Sequence, residues 1–375
     1  MAHSYTPGLK VLNYLKVKKY RILPIAGEVC KKKGELVQAN EIVAKTNLPG
    51  NVHMVKVANI LNISPSDIYD VLKVKEGDDI SSGDIIAENS GLFGLFKSDV
   101  RAPITGTIES ISDVTGQIIM RDQPIPVEID AYVGGVVEEI LDNEGIIVKS
   151  DAAYIQGIFG IGGESRGDLK IMVEDRKEEL SSDSLNNSLE GKIIVGGSFV
   201  TLETYKKALE LKISGIIVGG FNYFDLEEIL GYKLGVAITG TEDLATSLIL
   251  TEGYGKINMS EGTFNLLKQH EDKFVSINGA TQIRAGVIRP EIVIPLNNKE
   301  IPADKGLENK KLGMHEGSLV RVIRAPFFGH IGIVHSLPSA LQKMESETMV
   351  RVAEVKIDNK LYIIPRSNLE MLETD

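Results

Sequence analysis

The sequence predicts a multidomain α+β protein, with repetitive β-structure first, a layered α/β domain in the middle and a small β-barrel last. Three observations predict it. A Gly-and-acid turn phrase occurs twice, at 33–44 and 76–87; apolar runs alternate with amphipathic stretches between 191 and 300; strand-like alternation punctuated by glycine fills 313–375. At 375 residues the chain is also too long for one ordinary core.

Hydrophobic residues at 43% and charged residues at 25% are the proportions of a packed chain, not a disordered one. The single cysteine, Cys30, excludes an internal disulfide and fits a reducing compartment. No apolar run reaches transmembrane length, and Met1 to Arg21 lacks the apolar core of a signal peptide, so the expected location is cytoplasmic with no membrane insertion. Net charge is −11, which argues against a free-standing nucleic-acid binder. Residues 1–33 nevertheless carry +7. Residues 1–20 read as a basic leader that either docks on RNA or an acidic protein surface, or forms a β-edge guarded by lysines.

Residues 21–175 read as one β-unit. Lys33-Gly34-Glu35-Leu36-Val37-Gln38-Ala39-Asn40-Glu41-Ile42-Val43-Ala44 recurs as Glu76-Gly77-Asp78-Asp79-Ile80-Ser81-Ser82-Gly83-Asp84-Ile85-Ile86-Ala87. Each copy is a turn, an inward apolar residue, a second polar turn and a short strand. Ala102 to Ile111 finds an echo in Gly134 to Ile140. These phrases resemble the barrel-sandwich hybrid of biotinyl and lipoyl carrier domains, of RNA polymerase large subunits and of a cytosolic component of Rnf-type electron-transport complexes. The resemblance covers 27–45 and 72–150, with a helical insertion at 47–71 whose start is Ser64-Pro65-Ser66-Asp67. It would place a modified lysine near Lys97, but the carrier families' flanking residues are absent, and an unmodified lysine is expected. Leu92, Phe93, Leu95 and Phe96 in the same loop either pack internally or form an apolar contact patch.

The polar run 176–190 reads as a linker. Between 191 and 300 the expected elements are strands at Lys192–Gly197, Ile213–Gly220, Val236–Thr239 and Phe274–Ile277, with helices at Leu202–Leu211, Leu226–Leu230 and Ser260–Gln269. The sheet is expected to be mostly parallel. Gly196-Gly197 and Gly219-Gly220 end two of these strands, where open α/β sheets hold ligands; with Arg284 and Arg289 they form a candidate ligand or anion site. Tight turns and pairing with surface acids are the alternatives. No Walker lysine follows, and Gly160 to Ser165 lacks the helix that a dinucleotide loop needs.

Gly317 to Val334, Gly-Ser-Leu-Val-Arg-Val-Ile-Arg-Ala-Pro-Phe-Phe-Gly-His-Ile-Gly-Ile-Val, resembles the KOW motif of NusG-type elongation factors and ribosomal proteins, with Gly329 at the motif glycine. The resemblance implies a small SH3-like barrel over 313–375 that binds through its turn, here Arg324, Phe327, Phe328, Gly329 and His330. Phe327 and Phe328 either dock a partner or fill the barrel's own core. Residues 313–375 sum to −1, favouring a protein partner, polymerase or ribosome, with RNA as the other contact. His330 and His335 lie five apart on a strand and point to opposite faces, so no metal is expected; no cofactor or catalytic residue is identified. Cys30 reads as a small apolar filler, or as a thiol activated by Lys31 to Lys33. The expectation is a non-enzymatic adaptor on transcription or translation machinery; the alternative is a carrier-like or accessory subunit of a metabolic or electron-transport complex. Oligomeric state is not legible.

Overall fold

The computed structural model describes residues 9–89, 98–232, 242, 244–282, 288–297, 299–301, 314, 316–324, 326–327, 330–338, 340–343, 349–358 and 360–374. The chain is mostly β, 48% strand and 15% helix, arranged in several sheets. Among the described residues no helix is long and apolar enough to cross a membrane.

The basic leader is a strand of the fold. Leu9–Ile22 pairs antiparallel with Gly145–Gln156, from Val11↔Ile155 to Ile22↔Gly145. Its first three residues also pair in parallel with the C-terminal strand Leu369–Thr374. Leu9, Leu12 and Val17 are buried on its inner side, while its cations meet carboxylates: Lys18 with Glu138 at 2.6 Å, Lys19 with Glu291, and Arg21 with Glu164 at 2.7 Å. Those lysines and Arg21 are thus engaged inside the molecule.

The repeated phrase marks two complete units, one set inside the other. The outer unit holds Leu36–Val37, Ile42–Leu48, Ile125–Asp130 and Gly135–Leu141 around Val37, Val43, Val133, Val137 and Val148. Residues 50–122 form the second unit, on a stem where Leu48 pairs with Ile125 and Val52 with Arg121. Both copies fold by the same local bonds. Gly34 and Gly77 take φ of +84° and +89°, which side chains resist, and donate to Val137 O and Ile108 O at 2.8 Å. Glu35 and Asp78 each accept from the N–H three residues back, at 2.9 Å. Val37 then pairs with Gly135, and Ile80 with Gly106. An added Cβ on these two glycines would meet Lys149 O at 2.3 Å in one unit and Arg121 O at 2.0 Å in the other.

This corrects the expectation of a single unit over 21–175. The 47–71 segment is no decoration: Val57, Leu61 and Ile68 fill the second unit's core with Ile80, Ile86, Ile108 and Ile118.

The α/β sheet runs in the order Phe159–Ile161, Ser247–Tyr254, Gly215–Phe221, Ile193–Val195, Glu164–Ile171, Phe274–Asn278, Glu291–Pro295. From Ser247–Tyr254 to Glu164–Ile171 the strands are parallel; the flanking pairings are antiparallel. Helices Leu202–Glu210, Tyr223–Leu230 and Glu261–Gln269 start at Thr201, Asn222 and Ser260, whose side chains accept from the first-turn amides. Two expectations change. Residues 176–190 are not a linker, since Leu180, Leu185 and Leu189 are buried in the domain core and Glu179–Leu180 pairs with Phe199–Val200. Residues 164–171 belong to this sheet. Glu291–Pro295 also pairs with residues 152–156 of the long strand, so a continuous ladder joins this sheet to the N-terminal one. The strand expected at Val236–Thr239 lies outside the described residues.

The C-terminal module is an antiparallel meander ordered Leu369–Thr374, Leu319–Val322, Ile331–Ser336, Val352–Ile357, Lys360–Pro365. Val320, Val322, Val334, Val355, Ile364 and Leu369 form its core. Among the described residues its two outer strands do not pair, so it is an open sheet where a closed barrel was expected.

Candidate functional site

The outer face of the C-terminal meander carries the most distinctive surface. In an antiparallel ladder, directly opposed residues point to the same face. Ile333 opposes Lys356, and Lys356 opposes Leu361. Ile331 and Ile363 stand two residues along their strands and share that face. Ile331, Ile333, Leu361 and Ile363 are 39%, 50%, 55% and 52% exposed. Lys356 and Glu354, which opposes Ile363, lie among them. The inward residues Val334, Val355 and Ile364 build the core, so the strands are apolar on both sides.

The turn feeding this face is only partly outward. Arg324 and His330 are exposed. Phe327 is half-buried against the module's core, its ring 4.5 Å from that of Tyr362. Its carbonyl accepts from His330 N at 3.1 Å, closing the turn. Phe328 and Gly329 lie outside the described residues, as do Leu92, Phe93, Leu95, Phe96, Lys97 and Arg284. A close approach is visible at Gly332, where a Cβ would lie 2.6 Å from Val355 Cγ1 and 2.7 Å from Lys356 O.

A buried charge network seats the module on the α/β domain. Arg321 is 3% exposed and pairs with Glu252, itself 4% exposed and at the end of a parallel strand. Arg321 Nη1 also donates to Glu252 O at 3.1 Å, and Glu252 Oε1 accepts from Ser260 N at 2.9 Å. Glu370, cross-strand from Arg321 and 1% exposed, accepts from Arg289 at 2.8 Å. Its other oxygen, Oε2, has no hydrogen-bond partner among the described residues. Burial pushes the Glu370 carboxyl above its ordinary range, against the pull of Arg289 and Arg321.

At the glycine pairs of the expected ligand site the chain packs closely on itself. An added Cβ would strike Glu178 O at 2.3 Å from Gly197, Ile257 O at 2.2 Å from Gly219 and Gly255 O at 1.9 Å from Gly220. Beside Gly196, Leu180 Cβ sits at 3.0 Å. The chain's own backbone fills the crevice, and Arg289 is committed to Glu370. Cys30 is exposed, not a core filler.

A shallow cavity of about 280 Å³ opens beside the N-terminal strand, lined by Tyr20, Arg21, Glu128, Asp130 and Glu164 among others. Arg21 donates there to Asp130 O and to both Glu164 oxygens, at 2.7 to 2.8 Å, and Arg166 holds Asp130. Its lining offers matched ion pairs and no Ser, Thr, Cys or His. Among the described residues no group of three or more His, Cys, Asp or Glu is placed to hold a metal.

Sequence reasoning missed Arg321, Glu370 and the pairing of Arg321 with Glu252. Arg321 alternates with Val320 and Val322 as an outward charge would; only the domain covering that face buries it. The aliphatic row had a signal, since Ile331 and Ile333 occupy the positions that should be polar in a strand with one wet face.

Compared with known proteins, the sequence matches no family model and no curated protein.

Proposed function

We propose that this chain is a non-enzymatic adaptor that docks on transcription or translation machinery through its C-terminal module, by protein contact. The observation that carries this reading is the exposed row Ile331, Ile333, Leu361 and Ile363 on one face of a small sheet. Branched aliphatic side chains clustered in water mark a contact surface, and the interspersed Lys356 and Glu354 supply specificity. The likeness of Gly317 to Val334 to the KOW motif points to polymerase or ribosome as the machinery. The module's charge of −1 supports a protein surface over RNA. The buried Arg321–Glu252 pair supports presentation of the row from a fixed position on the body.

Affinity purification of the full chain from its native cytosol tests this. Polymerase or ribosomal subunits should be recovered with the wild type and lost with Ile333→Ser/Leu361→Ser. Recovery of a metabolic or electron-transport complex instead would replace the reading. One observation favours that second possibility: Asn89 pairs with Ser98, so residues 90–97, including Lys97, connect two strands of a carrier-like hairpin. An intact-mass increment on Lys97 would decide for it; an unmodified mass is expected.

A further inference from the structure

The two arginines at the end of the C-terminal ladder face one another across it. Val352 pairs with Pro365, and Arg366 N donates to Arg351 O at 2.9 Å, so Arg351 and Arg366 stand directly across from one another. Like charges in that position repel. Arg21, Arg101, Arg121, Arg166, Arg289 and Arg321 each have a carboxylate. Among the described residues neither Arg351 nor Arg366 does.

Arg366 is held in place despite this. Its Nε donates to Val352 O and its Nη2 to Pro338 O, both at 2.9 Å, which fixes the guanidinium and leaves Nη1 unbonded. Burial, and then the Arg351 charge, pull its pKa down. A cation fixed by carbonyls against a like charge is pre-organised for an anion. Apolar surface adjoins it. Gln342 pairs with Val350 and Lys343 with Met349, so Leu341 and Arg351 both adjoin the end of this short ladder, and Met349 lies two residues before Arg351. Leu341 and Met349 are 52% and 56% exposed.

We propose that Arg351 and Arg366, flanked by Leu341 and Met349, form a notch for an acidic peptide segment of a partner protein, with a carboxylate forked by the guanidinia and an apolar side chain on Leu341 and Met349. Charge complementarity selects this occupant. Two cations that meet no carboxylate among the described residues match one or two carboxylates, whereas an RNA strand brings a charge with every nucleotide to a chain of net −11. The inference rests on the reading of the C-terminal module as a docking module, but it uses other side chains than the aliphatic row.

The test is fluorescence anisotropy on the full chain with a labelled peptide of alternating Glu and Leu, against its Gln-for-Glu analogue and a ten-nucleotide oligouridine. The Glu peptide should bind, and the Gln analogue at least about tenfold more weakly, as loss of a charge-assisted fork requires. Arg351→Glu should lose the peptide with a melting temperature no lower than the wild type's, because Arg351 is exposed, has no side-chain partner among the described residues, and a glutamate there meets Arg366 in place of a like charge. Ile333→Ser/Leu361→Ser should keep it, so failure of the notch and failure of the row are separable. Equal binding of the Glu and Gln peptides, equal binding by Arg351→Glu, no binding at about 1 mM (a limit near −4 kcal/mol), or tighter binding of oligouridine would overturn the proposal.

Discussion

Arg321 of the C-terminal module and Glu252 of the α/β domain form a salt bridge whose side chains are 4% and 2% exposed. Desolvation makes such a pair a poor source of net stability but an expensive one to halve. Arg321→Met should cost about 3–5 kcal/mol by leaving Glu252 buried without its cation. Arg321→Met/Glu252→Met should recover much of that loss in a urea-denaturation cycle. Additive losses would show that the two side chains act independently.

Glu370 sets a pH dependence in the same seam. Its pKa is raised from 4.5, chiefly by burial, so the folded state holds its proton more tightly than the unfolded state does. Its contribution is therefore fully present below pH 4.5 and is lost as pH rises through the shifted value. Glu370→Gln, which stays neutral, should gain on the wild type in urea midpoint as pH rises from 4.5. A difference that does not change with pH would contradict this.

Gly332 has no room for a side chain, with Val355 Cγ1 and Lys356 O within 2.7 Å of an added Cβ. Gly332→Ala should cost about 1–3 kcal/mol through overpacking. Ile331→Ala, on the exposed face of the same strand, should change stability by no more than about 0.5 kcal/mol. Thermal melts of both variants check the pair.

The nested unit should be separable. Its core is made of its own residues, and it joins the outer unit through the stem at Leu48↔Ile125. Residues 50–122 expressed alone should melt cooperatively, and joining Pro49 to Gln123 through a short Gly-Ser linker should leave the remainder folded. A remainder that fails to refold would show that the stem needs its insert.

Local chemistry was legible in the sequence, and nesting was not. The turns at Gly34 and Gly77 and the inward Val37 and Ile80 follow from residue type and spacing, because Glu35 and Asp78 close each turn on an N–H only three residues back. That the two copies build separate units depends on Leu48 meeting Ile125, which no short phrase encodes. Composition misled at 176–190: Leu180, Leu185 and Leu189 are enough to anchor an otherwise polar run. Arg289 was noticed as a cation, but its partner Glu370 lies 81 residues away, beyond any local pattern.

The exposed aliphatic row Ile331, Ile333, Leu361 and Ile363 is the proposed docking surface. Its most direct test is the affinity of the full chain for purified RNA polymerase and for purified ribosomal subunits, measured by interferometry for wild type and Ile333→Ser/Leu361→Ser. Binding to one of them is expected, weakening at least about thirtyfold in the variant, a loss of about 2 kcal/mol, with an unchanged melting curve. Equal affinity of variant and wild type, or no binding to either assembly, would contradict it.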